Sequence, residues 1–450
     1  MITVGEALQR AWQTHQRGQI AAAEHAYREV IRAVPANPEA HVYLGIALFD
    51  QLRYDEAAAA YREGLRLRDH FPVAWNNLGN ALRMLGRIDE ADAAFATALR
   101  QKSDYANALK NRGTLWVWAG HIERGLEWYQ QAMRLAPDDA ELHRNLGIIY
   151  LLQGRYDEGW PEYRWRWKMP GMPRPSLPLP LWQGEPLEGK SIFVYPEQGL
   201  GDAIQFVRVV ETLQERGATV VLGCDPKLLP LLSGVRGVGK IIPFGGTFDR
   251  VDYHASLVDA TDHTWQGEAQ ISGAPYLEIS ESLAAYWQRY LEALPGKRIG
   301  LCWQGNPAHH ADPYRSVPLA AFAPLMELPN VSWISLQHGH GSEQLTSVEF
   351  GDRLHRLPEN LDQSSGAFLD TAAVMRGLDL VITTDTSAGH LAGALGVPTW
   401  LLLGRVPDWR WGLRGSTTPW YAAHRLWRQQ EVGDWQTPIA DMAEELRERR

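Results

Sequence analysis

Asp385, Thr386, Ser387, Gly389 and His390 fall within one segment, Thr384 to Pro398, flanked by two short apolar runs. The run Asp379 to Thr383 reads as a buried strand, and Thr399 to Leu403 as the next one. Thr386 or Ser387 can cap a short helix, Gly396 can end it, and Pro398 prevents its continuation. The chemistry on offer is anion recognition. The turn leaves the C-terminal end of a strand, and the helix start presents free N–H groups to a phosphate. The plain alternative is an ordinary crossover with a polar turn, but packing has little use for His390 just inside the helix.

Two further polar loops follow strand-like runs. After Ser191 to Tyr195 come Gly199, Gly201 and Asp202, and then an amphipathic helix reaching about Arg216. The glycines allow a sharp turn with room for a ligand. Asp202 serves either as a helix cap or as a general base on a cleft floor, and Gln205 shares its helix face. After Arg298 to Trp303 comes Gln304 to Ser316, which holds Asn306, His309, His310, Asp312 and Arg315. Arg315 suits a phosphate, and Ser316 suits the cap of a helix beginning near Pro318. The two histidines and Asp312 have metal-ligand chemistry, yet no second cluster or zinc-type spacing accompanies them, so no metal is expected. No Walker motif is present, nor a G-x-G-x-x-G with an acid at the right distance, which disfavours a P-loop hydrolase and a dehydrogenase.

The elements that must position these loops are of two kinds. Gly45, Gly79, Gly113 and Gly147 recur every 34 residues, as do Tyr27, Tyr61, Phe95, Tyr129 and Tyr163, and also Gly86, Gly120 and Gly154. This is the tetratricopeptide period, two antiparallel helices per repeat, and it predicts about five repeats over residues 1–168 with a degenerate first one. The stretch Trp160 to Trp167 either packs the array on the next domain or stacks on sugar. Residues 169–189 are Pro-rich and predict a stiff, extended linker. From Lys190 the pattern alternates strand and helix, predicting two Rossmann-like halves, 190–294 and 295–450, that face a cleft and end in a helix from about Pro438 to Arg449. Trp409, Trp411 and Trp420 lie in a loop after the last of these strands and suit either packing between the halves or sugar stacking.

The chain has 450 residues, 45% of them hydrophobic, enough for several domains with their own cores. Lys and Arg balance Asp and Glu across residues 1–168, so the net charge of −9 falls in the remainder. That is no nucleic-acid footprint. Cys224 and Cys302 fall in strand-like runs and read as buried free thiols. With no membrane-length apolar stretch and no signal-peptide pattern, a cytoplasmic protein is expected.

Gly199 to Phe206 (GLGDAIQF), Arg315 to Leu319 (RSVPL), and Asp385-Thr386 with His390 to Gly396 resemble bacterial glycosyltransferases related to the ADP-heptose transferases. With the repeats in front, nearly the whole chain is similar to bacterial repeat–glycosyltransferase proteins and, in architecture, to protein O-GlcNAc transferases. The resemblance implies an α-solenoid followed by an α/β GT-B fold. The implied reaction is an inverting, metal-free displacement with a nucleotide-diphosphate sugar as co-substrate and no cofactor. It implies a protein acceptor of the flagellin kind on the repeats. A lipid-linked or lipopolysaccharide glycan acceptor, or an inactive scaffold that only binds sugar nucleotide, are the alternatives. By the resemblance Asp202 is the base, with His254 as fallback in the same half. Arg315, Asp385, Thr386, Ser387 and His390 face the nucleotide diphosphate. Gly199, Gly201, Gln205, Gln304, Asn306, Ser316, Gln337 and Gly389 complete the nucleotide-sugar set. The chain departs from the pattern at Asp252 to Asp262, which lacks an expected Ser-Leu-Pro segment, and its first α/β half is short.

Overall fold

A computed structural model describes residues 3–247, 250–309 and 311–448 and divides into two compact units, Met1–Leu146 and Gly147–Arg450. The first unit is all helix: Val4–Gln16 with Ile20–Ala33, Pro38–Asp50 with Tyr54–Leu67, Pro72–Met84 with Ile88–Gln101, and Ala106–Trp118 with Ile122–Leu135. Ala140–Leu152 opens a fifth pair and runs across the boundary. The repeat lattice has a steric cause. A Cβ at Gly45 would lie 2.5 Å from Tyr61, one at Gly79 2.6 Å from Phe95, and one at Gly113 2.6 Å from Tyr129. Each glycine therefore lets the aromatic of its own repeat's second helix lie flat across the first, and these rings are fully buried. Ala11 takes the glycine's place in the degenerate first repeat and is also buried.

The second unit carries two all-parallel sheets. The smaller has the order β3-β2-β1-β4, with β1 at Ser191–Tyr195, β2 at Thr219–Cys224, β3 at Lys240–Pro243 and β4 at Tyr253–Ser256. The larger has the order β10-β9-β8-β5-β6-β7. Its strands are β5 Lys297–Cys302, β6 Val331–Ser335, β7 Leu354–Arg356, β8 Leu380–Thr384, β9 Thr399–Leu403 and β10 His424–Arg428. In both sheets the strand order reverses beside the first strand, at β1/β4 and at β5/β8.

Three boundaries differ from the sequence reading. The last repeat helix, Tyr156–Tyr163, and the turn Arg164–Lys168 belong to the second unit, where Trp160 meets Trp409 and Trp265 edge-on at 5.4 and 5.9 Å. The tryptophan cluster packs. The Pro-rich stretch is no free spacer either. Leu177 and Leu179 alternate with prolines and cover the face of the smaller sheet, while Pro180 and Trp182 hydrogen-bond the backbone of His254 along the edge of β4. Finally, the helix Glu281–Leu291 packs on the larger sheet's side, with Trp287 Nε1 donating to Asp370 at 2.9 Å. The expected single helix to Arg216 is two, Leu200–Phe206 and Val209–Glu215. Between them the carbonyls of Ile204 and Gln205 accept from Tyr276 and Arg208 side chains. The terminal helix, Gln436–Glu448, packs into the larger sheet's core through Ile439 and Met442.

Candidate active site

Gly201 brings the first and third loops together. A Cβ there would lie 3.0 Å from His390 Cδ2 and 3.5 Å from Ser387 Cα, so only glycine lets the helix after β1 approach the helix after β8 this closely. Thr386 stands at the N-cap of the latter, Ser387–Leu395, with extended backbone, but its hydroxyl makes no capping bond and faces Thr383 instead. The first-turn N–H groups of Ser387 and Ala388 therefore have no partner among the described residues. Gly389 is a packing glycine: its absent side chain faces Leu401, and its carbonyl accepts from His424.

His390 has more packing than its sequence position suggests. It is buried, stacks on Trp411 at 5.3 Å, and shares a 3.0 Å hydrogen bond between Nδ1 and the Tyr421 hydroxyl. Burial, helped by the charges of Arg410, His424, Arg208 and Arg315, holds its pKa well below 6.5. It is a neutral imidazole, so any contact it offers an anion is an ordinary hydrogen bond.

Asp202 takes the capping role and also binds a cation from another loop. Its Oδ2 accepts from the N–H of Gly199 at 3.1 Å, the cap, while Oδ1 accepts from Arg410, which arrives on the loop after β9. Burial pushes its carboxyl upward and Asp408 adds to this, against the opposing pull of Arg410. Three residues on, Gln205 is fully buried with neither amide atom partnered, an orphan of the kind that water or a ligand normally satisfies.

Arg315 lies at the end of the single turn Asp312–Arg315, not at a helix start. Its Nη1 donates to the carbonyl of Asp385 at 3.0 Å, which fixes the guanidinium beside the loop after β8. A Cβ at Gly305 would lie 2.7 Å from Arg315 Nη2, so that glycine makes the room. Burial and the nearby Asp408 push Asp385 up to about 6.

Other candidates turn elsewhere. Ser316 does not cap a helix: its hydroxyl donates to Asp312 and accepts from the Gly305 N–H. Gln337 is a clamp whose amide accepts from the N–H groups of Trp303 and Gln304 and donates to the carbonyls of Gln304 and His340, leaving little for a ligand. The Gln304 side chain accepts from Gln344, and Asn306 organises its own turn by accepting from Ala308. His254 lies within β4, buried and 3.3 Å from the Tyr195 hydroxyl, with its pKa lowered by burial; no contact joins it to Asp202 or Arg410 among the described residues. His310 lies outside the described residues. Trp409, Trp411 and Trp420 are all buried, so they pack and leave no open face for a sugar.

Sequence reasoning missed Arg410 and Asp408. The available signal was an Asp-x-Arg pair flanked by Trp409 and Trp411, a combination that marks a buried guanidinium between aromatic faces. It also missed the ionic staple beneath the first loop. Arg166, 1% exposed, holds Glu197 through Nε at 2.9 Å and Nη2 at 2.8 Å, and also reaches Asp259; Arg174 and Trp167 share that aspartate.

Residues 16–70 and 50–106 match the family described as tetratricopeptide repeat, and residues 119–154 one described as TPR repeat. The helical pairs are tetratricopeptide repeats. Protein FlbA of Caulobacter vibrioides is 28% identical over 315 residues, an overlap of 64% of this chain and 52% of FlbA. The chain thus spans about half the length of that curated relative. Among solved structures, MamA of Desulfovibrio magneticus RS-1 is 22% identical, covering 37% of this chain and 92% of that one, with a TM-score of 0.31. A thermophilic TPR protein of Thermus thermophilus is 20% identical, covering 37% and 91%, with a TM-score of 0.34. PilF of Pseudomonas aeruginosa is 16% identical, covering 47% and 85%, with a TM-score of 0.36. No helix among the described residues is long and apolar enough to cross a membrane.

Proposed function

We propose that this chain is an inverting, metal-independent glycosyltransferase of GT-B architecture, which moves a sugar from a nucleotide-diphosphate sugar to a protein acceptor recruited by the repeats in the cytoplasm. The observation that carries the reading is the approach of Gly201 to Ser387 and His390. It joins the loops at the C-terminal ends of β1 and β8, each beside a point where strand order reverses, which is where open parallel sheets bind ligands. Two Rossmann-like halves meeting at such a crevice suit a sugar nucleotide.

In this reading the diphosphate lies at the open start of Ser387–Leu395, with Arg315 supplying charge and His390 a neutral N–H. Departure of the diphosphate develops negative charge as the glycosidic bond breaks, and preorganised donors of this kind stabilise it without reorganisation. Asp202 takes the proton of the attacking hydroxyl. Both of its oxygens are engaged, but each keeps a second lone pair for that proton. Burial raises its pKa, which makes it a stronger base than an exposed carboxylate.

The test is calorimetric titration of the full chain with uridine, adenosine and guanosine diphosphates. One of them is expected to bind, with Arg315→Ala weakening it by about 1.5–3 kcal/mol and His390→Ala by about 0.5–1.5 kcal/mol. If none binds, or if neither variant changes the affinity, the assignment fails. Transfer is then read by mass spectrometry of an acceptor, where Asp202→Asn should slow turnover by about 10²–10⁴-fold. Wild-type turnover in that variant moves the base elsewhere.

A further inference from the structure

We propose that Arg410 is a donor-phosphate residue that Asp202 occupies until the sugar nucleotide arrives, so that the donor itself frees the base. The inference rests on the reading above and adds a residue and an order of events to it.

Arg410 sits in the short turn Trp409–Trp411, whose first carboxylate, Asp408, accepts from the Arg410 backbone N–H at 3.1 Å. Its guanidinium is buried between ring faces, with Cζ 4.9 Å from the centroids of both Phe206 and Trp409. Nη1 donates to Asp408 at 2.6 Å and Nη2 to Asp202, while Nε has no partner. The bond between Nη2 and Asp202 joins the loop after β1 to the loop after β9, so it spans the crevice.

A guanidinium presents five N–H groups in a planar fork whose parallel pairs match a carboxylate or phosphate. Here the fork is used poorly. Two carboxylates each take a single bond, and neither is held by a parallel pair. Aromatic faces fix the plane of the group, so a better-matched anion can take the Nη2 edge without moving the arginine. A diphosphate entering at Ser387 and His390 is close to this position, because Gly201, the neighbour of Asp202, touches both of those residues. Its oxygens can accept in parallel from Arg410, and it brings more negative charge than one carboxylate. The displaced Asp202 keeps its cap to Gly199 but loses its cation. It then holds a proton more readily, at the moment an acceptor hydroxyl has a donor to attack.

The exchange makes Asp202 a competitor of the diphosphate, which gives it an unusual signature. Asp202→Asn, which retains the cap acceptor, should tighten binding of the diphosphate by about tenfold, and of inorganic pyrophosphate likewise. Arg410→Lys, which keeps the charge and loses the fork, should weaken it by about tenfold. In the double variant the tightening should vanish. Calorimetric titration of the full chain and its variants with uridine, adenosine and guanosine diphosphates and with pyrophosphate reads all three. Tightening that persists at full size in the Arg410→Lys background is general charge removal and overturns the proposal. So does unchanged affinity in Asp202→Asn. If Arg410→Lys does not fold, Asp408→Asn releases the same guanidinium from its other side. Tightening clearly larger in Asp202→Asn, whose carboxylate holds the Nη2 edge, then upholds the exchange, whereas unchanged affinity in Asp202→Asn, or equal tightening in both, which is general charge removal, overturns it. Loss of affinity in Arg315→Ala alongside an unchanged Asp202→Asn leaves the transferase reading standing and removes only the exchange. A wild type that binds no diphosphate removes the transferase reading itself.

Discussion

The two units bury charge to different degrees. In the repeats most ion pairs lie on the helix surfaces, as Arg66 with Glu63 and Arg87 with Glu90 do on single helices, and an exception is Lys110, buried against Asp139 and Glu141. In the second unit arginines are buried, Arg166 against Glu197 and Asp259, and Arg410 against Asp202 and Asp408. A repeat gains little from an exposed pair, because water already solvates both partners. A buried arginine is different, since its removal strands carboxylates that water cannot reach. The repeats are thus held mainly by shape, while the loops of the candidate site are held in place by buried ions.

The largest effect follows from breaking one buried partner. Arg166→Met is expected to destabilise the second unit by about 3–5 kcal/mol, because Glu197 and Asp259 lose their shared cation while staying buried. Arg66→Met should leave chemical denaturation unchanged within error. Comparable losses in both variants would remove the distinction between the units. The same ions set where the chain can be cut. A fragment beginning at Pro178 discards Arg164, Arg166 and Arg174, and should unfold or aggregate, whereas one beginning at Asp138 keeps them.

This contrast also decides what could be read from the sequence. The repeats are written locally: a glycine and an aromatic sixteen residues apart touch, so the lattice shows itself as a period. The interior strands β1, β5, β8 and β9 were legible because burial on both faces demands continuous apolar runs. β3, β4, β7 and β10 were not, and these four are the sheet edges. An edge has one strand neighbour only, so β3 tolerates Pro243 and β10 Arg425, while β4 is short and its outer side is closed at His254 by the connector around Leu181. At the candidate site, Gly201, Asp202, Ser387, His390 and Arg315 stood out because loops at strand ends announce themselves by composition, and the structure brings these loops together. Arg410 was not, since its partner is 208 residues away and nothing periodic connects them. Gln337 and Ser316 misled because a polar residue near a strand end can as well satisfy backbone groups as bind a ligand.

The shape-held unit should be sensitive to volume where the other is sensitive to charge. Gly79→Val places its Cβ 2.6 Å from Phe95 Cε1, inside contact distance. Overpacking of this kind is expected to cost about 1–3 kcal/mol, and a Phe95→Leu partner should recover part of it. Gly5, with nothing within 4 Å of a Cβ, is the control. Gly5→Ala should be neutral or stabilising by about 0.5–1 kcal/mol, since it lies in a helix. Equal effects at both glycines, read from urea denaturation followed by circular dichroism, would show that helix propensity and not ring packing selects the lattice.

The smallest expected effect lies at one flaw in the repeat pattern. The turn between the two helices of a repeat uses a left-handed residue: Gly18, Gly86, Gly120 and Gly154 have φ between +71° and +78° or, for Gly120, +87°. The second repeat puts Leu52 there, with φ of +63°. A residue with a Cβ loses about 1–2 kcal/mol in that conformation, part of which glycine gives back through its greater freedom when unfolded. Leu52 is 55% exposed, so little apolar burial compensates. Leu52→Gly should therefore stabilise the first unit by about 0.5–1 kcal/mol. The reverse change, Gly86→Leu, should destabilise it by a similar amount. If Leu52→Gly lowers the unfolding midpoint instead, the leucine side chain contributes more through contact than the turn loses through strain. Backbone conformation would then not be what keeps glycine at this position in the other repeats.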